Sequence, residues 1–220
     1  MFIELKQFYT RRMNAKFSIL FLISMFALTD GYSQLTENFY DNGKLKSVGL
    51  LENGSKTGIW KYYYPSQKLN SEESYLEGKL DGMVKYYAEN GVVIGKEHWS
   101  RDLLQDSAFY YYENESIHKK GIYRDGAYAG TWKYYHRNGQ FQRAVEYKNG
   151  LPHGNWEVFD EFETLTQEGQ YSNGKETGEW KFYREDGSLS YYGTYEEGKR
   201  VGDWYKVNLK GKAKKIKNPF

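Results

Sequence analysis

The fold is decided by the stretch Gly121-Ile-Tyr-Arg-Asp-Gly-Ala-Tyr-Ala-Gly-Thr-Trp-Lys-Tyr-Tyr-His-Arg-Asn-Gly-Gln-Phe-Gln-Arg-Ala144, because its pattern recurs along the 220-residue chain. The recurring glycines stand 24 residues, or a multiple of 24, apart at Gly54, Gly78, Gly126, Gly150, Gly174 and Gly198. Tryptophans keep the same interval at Trp60, Trp132, Trp156, Trp180 and Trp204. These residues are the predicted structural anchors of seven copies that follow one another without an insertion. A short fixed period of this kind indicates a repeat array.

Each copy predicts two short β-strands joined by turns. In the quoted copy the predicted strands cover residues 131–135 and 142–147, which are rich in aromatic residues and bounded by glycines. Between them lies Asn138-Gly139, a dipeptide typical of a two-residue hairpin turn in which both central residues have positive φ. Its equivalents are Asn42-Gly43, Asn90-Gly91 and Asp186-Gly187. The other junction, from Gly126 to Gly130, is predicted to be longer, with glycine at left-handed positions.

The repeats therefore predict an all-β fold. A single hairpin is only marginally stable in water, so successive units must pair edge to edge. The expected architecture is one elongated, twisted antiparallel sheet of consecutive hairpins. Seven repeats cover residues 49–216, after a partial hairpin or cap at residues 34–48 and before the end of a basic tail at residues 217–220.

Two copies depart from the pattern. In the third, acidic or small residues replace glycine and tryptophan at Asp102, Asp106, Ala108 and Glu115. This copy predicts a bend, a partner site or drift that its neighbours tolerate. In the fifth, residues 161–163 replace the Asn-Gly turn and predict a longer or irregular hairpin.

Alternation of side chains along each strand predicts two different faces. One face carries the tryptophans, which we expect to pack as a structural ladder. If Trp156 is buried there, its replacement by alanine should cost ~3–5 kcal/mol. The other face mixes aromatic and cationic side chains, and it holds the residues predicted to bind a partner: Tyr63, Tyr87, Tyr111, Tyr135, Lys61, Lys85, Lys133 and Lys181.

The first 33 residues predict a secretory signal peptide. Arg11, Arg12 and Lys16 precede an uncharged stretch at residues 17–28, and small residues follow at 31–33. The apolar stretch is short for a membrane span. The chain has no cysteine, so a lipid anchor on a cysteine after the signal is excluded. We therefore expect an exported protein that starts near Gln34, is periplasmic or secreted, and is not a lipoprotein.

Charge and composition exclude several classes of function. From Gln34 onward the basic and acidic residues balance, but six lysines follow Asp203 and leave the preceding body with six excess negative charges. Nucleic acid is therefore not an expected partner. The four histidines show no metal-ligand spacing, and the chain has no phosphate-binding loop or nucleophile elbow. The sequence predicts no cofactor, no metal site, no catalytic residue and no enzyme activity.

The pattern G-x-Y-x-x-G-x-x-x-G-x-W-x-x-Y-x-x-[N/D]-G resembles the MORN-repeat family in its bacterial variant form. Its best copies run from Gly121 to Trp132, from Gly169 to Trp180 and from Gly193 to Trp204. The resemblance implies a sheet with one hairpin per repeat. For function it implies protein scaffolding, phospholipid contact or, for the bacterial variant, an antitoxin label without a stated mechanism.

Three functions remain open from the sequence. The first is a non-catalytic module that binds another protein through its aromatic sheet face, a scaffold or antitoxin-like role. The second is a module that binds cell-wall polysaccharide or another carbohydrate through the aromatic hairpins, some of which are similar to choline- and wall-binding repeats. The third is contact with an anionic lipid surface through the lysines and the basic tail.

Overall fold

The computed structural model describes residues 32–217, which form one antiparallel sheet of 16 strands arranged in the order of the sequence. The strands are β1 (Ser33–Phe39), β2 (Leu45–Glu52), β3 (Ser55–Tyr63), β4 (Leu69–Leu76), β5 (Lys79–Tyr87), β6 (Val93–Ser100), β7 (Leu103–Tyr111), β8 (Ile117–Arg124), β9 (Ala127–Tyr135), β10 (Phe141–Lys148), β11 (Leu151–Phe159), β12 (Leu165–Ser172), β13 (Lys175–Tyr183), β14 (Leu189–Glu196), β15 (Lys199–Val207) and β16 (Ala213–Ile216). Each strand pairs with the next, so the array of consecutive hairpins predicted from the repeat is confirmed. Stacked at about 4.8 Å per strand, the sheet measures roughly 70 Å from β1 to β16.

The predicted signal peptide lies outside the described residues except for its last two, and Ser33 already opens β1. The leader therefore stays a prediction. Within residues 32–217, no helix has the length and apolar character that crossing a membrane requires.

The junction at Asp125-Gly126 is a tight two-residue turn rather than the longer loop predicted. Asp125 (φ 50°) and Gly126 (φ 79°) both have positive φ, and β9 begins directly afterwards at Ala127. The predicted loop residue Gly130 (φ 58°) lies inside β9. There the pairing with β8 shifts register, so the glycine serves a bulge and not a turn.

The turn at Asn138-Gly139 has a different geometry from the one predicted. The backbone N–H of Gly139 donates to the carbonyl of His136 (2.9 Å), and the N–H of His136 donates to the carbonyl of Gln140 (2.8 Å). Only Gly139 has positive φ, which describes a type I turn followed by one left-handed residue. Asn138 is favoured because its Oδ1 accepts the Gln140 N–H (3.0 Å). The hairpin position is correct and the two-residue type is wrong, and the same holds at Asn42, Asn90 and Asp186.

The divergent third and fifth copies keep the backbone of the others. Asp102 (φ 67°), Asp106 (φ 58°) and Glu115 (φ 68°) adopt the left-handed conformation that glycine takes elsewhere. Glu163 (φ 66°) does the same, and the Asp160 N–H reaches the Thr164 carbonyl (2.9 Å) as in the other turns. The predicted longer hairpin in the fifth copy is therefore wrong. The substitutions change the side chains, and the backbone pairing of the strands continues through both copies.

Most of the basic tail continues the sheet. Residues 213–216 form β16, which pairs with β15, and Lys215 makes an ion pair with Asp203 (2.5 Å). The tail thus extends the sheet by one short strand.

The core of this single-layer sheet is built from tryptophans that lie on glycines. The indoles of Trp60, Trp132, Trp180 and Trp204 are buried although no second layer of described residues covers them. Each lies against a glycine on the preceding strand, where a side chain would collide with the ring: Gly49, Gly121, Gly169 and Gly193 respectively. For Trp132 the indole Nε1 also donates to the carbonyl of Ile122 (2.9 Å).

Two repeats exchange this pair of residues for a different one. At the tryptophan position they carry Val84 and Ala108, and at the glycine position they carry Glu73 and Glu97. Val84 and Ala108 are fully buried, and Glu97 is only 8% exposed. A carboxylate and a small apolar side chain therefore stand in these two repeats where glycine and an indole stand in the others, which changes the chemistry of the position.

The fifth copy keeps the tryptophan but lacks the glycine, since Val145 stands where glycine would receive the Trp156 ring. Val145 is buried, whereas Trp156 is partly exposed and its Nε1 has no hydrogen-bond partner. The ladder between β10 and β11 is correspondingly short, with only Glu146↔His153, Tyr147↔Pro152 and Lys148↔Leu151 in register. Two large side chains meeting at one position explain the loss of pairing beyond them.

Candidate interaction surface

We call the side of the sheet that carries Trp60 and its equivalents the tryptophan face, and its aromatic surfaces are occupied by cations of the same chain. Lys56 Nζ lies 4.8 Å from the Trp60 ring and 4.6 Å from the Tyr75 ring. Lys119 Nζ lies 4.4 Å from the ring of Tyr110. Arg143 and Arg200 sit in the same way over Tyr134 (4.3 Å) and Trp204 (5.0 Å). Such contacts contribute about 0.5–2 kcal/mol each, so this face stabilises itself.

The carboxylates on the tryptophan face are held by neutral donors. Glu97 accepts hydrogen bonds from the hydroxyls of Tyr110 (2.5 Å) and Tyr86 (3.0 Å) and from Nε1 of Trp99 (3.0 Å). Burial, together with the neighbouring Glu97 carboxylate, raises the pKa of both Tyr86 and Tyr110 far above the ordinary value of 10.0. The tyrosines therefore stay protonated and keep donating.

The opposite side of the sheet, which we call the lysine face, carries every residue predicted from sequence to bind a partner. Within residues 32–217 no element packs over it. The predicted residues are Tyr63, Tyr87, Tyr111, Tyr135, Lys61, Lys85, Lys133 and Lys181. The four tyrosines are half-buried between neighbouring strands. Lys61 and Lys133 are exposed, and the other two lysines are half-buried. The structure thus places the predicted residues on one continuous surface.

Two of the predicted lysines are neutralised by carboxylates. Lys181 Nζ lies 2.9 Å from Glu168, which also accepts the Tyr183 hydroxyl (2.8 Å). The hydrogen bond from Lys181 lowers the pKa of Glu168, and the same bond raises that of Lys181. Lys61 Nζ lies 3.5 Å from Glu72. Charge at these two ends of the face is therefore locally balanced.

Sequence reasoning missed two lysines on this face, Lys96 and Lys120. They belong to the second strand of their hairpins, β6 and β8, and pairing puts Lys96 opposite Lys85 and Lys120 opposite Lys133. Both amines lie near tyrosine rings, Lys96 at 5.6 Å from Tyr111 and Lys120 at 5.7 Å from Tyr135. Their recurrence at a spacing of 24 residues was a usable signal, but the strand register was needed to place them on this face.

A groove of about 450 Å³ opens on the lysine face beside the third copy. It is lined by residues 90–93 of one turn, by Glu115 of the next turn, and by Lys96 and Tyr111 of the strands between them. The groove brings a cation, an aromatic ring and turn backbone together at the centre of the face. Within residues 32–217 no group of three or more histidine, aspartate or glutamate side chains is arranged to hold a metal.

Successive repeats are also tied by side chains at one edge of the array, a feature that the sequence reading missed. Tyrosine hydroxyls donate to a backbone carbonyl 23 residues further on, and a histidine makes the equivalent contact: Tyr40 to Tyr63 (2.6 Å), Tyr64 to Tyr87 (2.8 Å), Tyr112 to Tyr135 (3.0 Å) and His136 with Phe159 (2.8 Å). These contacts fix the ends of the strands that carry the lysine-face tyrosines.

The geometry defines a β-hairpin repeat protein that presents a broad surface. Comparison with known families agrees: residues 56–77, 80–100, 129–149 and 176–197 match the family described as MORN repeat variant. The chain belongs to the MORN-repeat family. A comparison with curated proteins found no match.

Proposed function

We propose that this protein is an exported, non-catalytic interaction module that binds another protein through its lysine face. The observation that carries the proposal is the contrast between the two faces. The tryptophan face uses its own cations and carboxylates to fill its aromatic surfaces. The lysine face also holds two cations near tyrosine rings, but it leaves the amines of Lys85 and Lys133 with neither a carboxylate at ion-pair distance nor an aromatic ring beside them among the described residues.

Physical arguments favour a protein as the ligand. Tyrosine is enriched among residues that dominate binding energy, because a rigid ring buries much area at little entropic cost. Tyr87 and Tyr111 are held between strands, so they are preorganised before a partner arrives. A repeat sheet of this length offers more area than the roughly 800 Å² per partner that a standard interface needs.

The test is capture of a partner followed by a matched comparison of variants. A protein retained from the organism's envelope fraction is identified, purified and titrated against wild type, Tyr87→Ser/Tyr111→Ser and Phe162→Ser. Phe162 is an exposed turn residue and serves as the control. We expect the double variant to weaken binding by about tenfold or more and the control to leave it unchanged. Unfolding midpoints of all three proteins confirm that the fold is intact.

The competing functions give different results in parallel assays. Retention on purified wall polysaccharide without any protein partner would replace the proposal with the carbohydrate-binding function. Co-sedimentation with anionic vesicles that disappears at high salt would favour membrane contact. Neutralising a toxin is one special case of protein binding, and the identity of the captured protein decides it.

The export part of the proposal rests on the residue pattern of the first 33 positions. Fractionation of cells that express the full chain, with sequencing of the mature amino terminus, tests it directly. A start near Gln34 in the exported fraction supports it, and an uncleaved amino terminus in the cytoplasm contradicts it.

A further inference from the structure

We propose that Lys85, Lys96, Lys120 and Lys133 form a binding row for a short, extended acidic segment of the partner protein. This inference rests on the proposed function and specifies the chemistry of the partner. The row crosses five neighbouring strands, β5 to β9, with Phe109 at its centre. We call these four lysines the central lysine row.

Like charges face each other across the strands of this row. Lys85 is the direct cross-strand partner of Lys96, and Lys120 is that of Lys133. Directly opposed like charges destabilise a sheet, whereas opposite charges stabilise it. The same chain uses the stabilising arrangement further along, where Lys181 is opposite Glu168. The central row therefore carries a cost in stability that an anionic ligand would relieve.

The acidic side chain that pairs with the row across β4 does not neutralise it. Glu72 is opposite Lys85 on β4, but its carboxylate contacts Lys61 (3.5 Å) and the Tyr87 hydroxyl (2.9 Å). Among residues 32–217, none of the four lysines of the row has a carboxylate within ion-pair distance. Four cations thus remain available over a span of four strand spacings, about 19 Å.

The dimensions and the charge of the surroundings define the kind of anion. At about 3.3 Å per residue, a 19 Å span corresponds to roughly six residues of extended chain. The body of the protein before the basic tail is net acidic, so a broad anionic surface would meet repulsion beyond the row. A short acidic segment avoids that repulsion. Its carboxylates lie close to the four amines, and salt screens the repulsion from more distant acidic residues.

Aromatic groups beside the row can hold the apolar parts of such a segment. Tyr111 and Lys96 line the 450 Å³ groove on its strand side, and Glu115 lines it on its turn side. Phe109 is the cross-strand partner of Lys96. The groove can receive one larger side chain of the segment while neighbouring carboxylates meet the amines. Charge and shape are therefore combined at one place, which favours a peptide segment over a simple anion.

The experiment uses the mature full-length chain and a fluorescein-labelled peptide with six consecutive glutamates, alongside the equivalent glutamine peptide. The variants are Lys96→Gln/Lys120→Gln in the row and Lys61→Gln/Lys181→Gln at the ends of the face as the charge-matched control. A third variant, Lys210→Gln/Lys212→Gln/Lys214→Gln, tests the basic tail. We expect the row variant to weaken binding of the glutamate peptide by roughly fivefold to tenfold, and the other two by less than about twofold.

Thermal unfolding supplies an independent readout. Because the row opposes like charges, Lys85→Gln/Lys133→Gln, which removes the two amines that lie beside no aromatic ring, should unfold at the same temperature as the wild type or higher. Lys61→Gln/Lys181→Gln should unfold at the same temperature or lower. A lower unfolding temperature for Lys85→Gln/Lys133→Gln would show a structural role and overturn the proposal. Equal binding of the glutamate and glutamine peptides, or equal loss in the row and tail variants, would also overturn it.

A vesicle arm separates lipid from peptide. Equimolar phosphatidylserine–phosphatidylcholine vesicles that bind through the central lysine row, together with no binding of the glutamate peptide, would overturn the acidic-segment inference. The inference can fail while the proposed function holds. In that case the captured partner binds Tyr87→Ser/Tyr111→Ser more weakly than the wild type but binds the row variant normally. If the tyrosine variant also binds the partner normally, the proposed function itself fails.

Discussion

Trp132 and Gly121 form a contact in which the indole lies directly on the backbone of the neighbouring strand. A Cβ placed on Gly121 would stand 2.3 Å from Cδ2 of the Trp132 ring, a separation that no relaxed structure tolerates. The same relationship recurs in three other repeats. A single-layer sheet has no opposing layer to bury its aromatic residues, so each indole is buried by lying flat on the sheet itself. Glycine is required there for close approach and not for a special φ.

Replacement of Gly121 by alanine should destabilise the protein by about 1–3 kcal/mol, because the added methyl group forces the indole of Trp132 away from the strand backbone. In the background of Trp132→Val, which reproduces the valine found at Val84, the same change should cost far less. Urea unfolding of the wild type, both single variants and the double variant measures this coupling. Additive effects of the two substitutions would contradict the proposed contact.

Trp132 and Trp156 should differ in their contribution to stability although they occupy the same position in the repeat. Trp132 is fully buried and its Nε1 is hydrogen-bonded, so Trp132→Ala should cost ~3–5 kcal/mol. Trp156 is partly exposed and its Nε1 has no partner, so Trp156→Ala should cost roughly half as much or less. Paired urea titrations compare the two, with the slope of each transition checked for two-state behaviour. An equal loss would show that Val145 does not displace the Trp156 ring.

Replacement of Val145 by glycine should lengthen the ladder between β10 and β11. The indole of Trp156 could then lie on residue 145 as Trp132 lies on Gly121, and the strands could pair beyond the present three pairs. We expect slower hydrogen exchange at the backbone amides of Ala144 and Glu157, measured by NMR.

The matched control for this change is Val84→Gly, which removes a similarly buried valine at a position without an indole that could move into the space. It should lose about 1.5–3 kcal/mol of stability, while Val145→Gly should lose clearly less. Equal losses, with exchange at Glu157 unchanged, would refute the steric explanation for the short ladder.

The sequence predicts the architecture well because the repeat period and the turn residues are local signals. It fails on the turns themselves: Asp125-Gly126 and Asn138-Gly139 are both compatible with a two-residue turn, and only the hydrogen-bond pattern distinguishes them. Turn type fixes strand register, and register decides which side chains meet across strands. That is why Lys85 and Lys133 were placed on the binding face while Lys96, the partner of Lys85, was missed. The pairing of Gly121 with Trp132 depends on the same register.

The half-buried tyrosines should make the protein sensitive to alkaline pH. Burial, with a hydrogen bond to Glu72, raises the pKa of Tyr87 to about 12, and burial next to Glu176 raises that of Tyr171 to about 12. Tyr86 and Tyr110 are shifted still further in the same direction. In the unfolded chain these hydroxyls lose their protons near the ordinary value of 10.0. The folded state therefore binds more protons above that pH, and its stability is complete below pH 10 and falls as pH rises towards 12.

Two signals recorded across this pH range test the expectation: near-ultraviolet absorbance of tyrosinate and far-ultraviolet circular dichroism. A large part of the tyrosinate absorbance should appear together with loss of the strand signal, because unfolding exposes the hydroxyls. Glu97→Gln removes the charge that helps to keep Tyr86 and Tyr110 protonated, so it should make the alkaline loss of stability less steep, while the exposed Glu89→Gln should not. Tyrosinate absorbance that rises fully near the ordinary value, with the strand signal intact, would show that these hydroxyls are not buried against carboxylates.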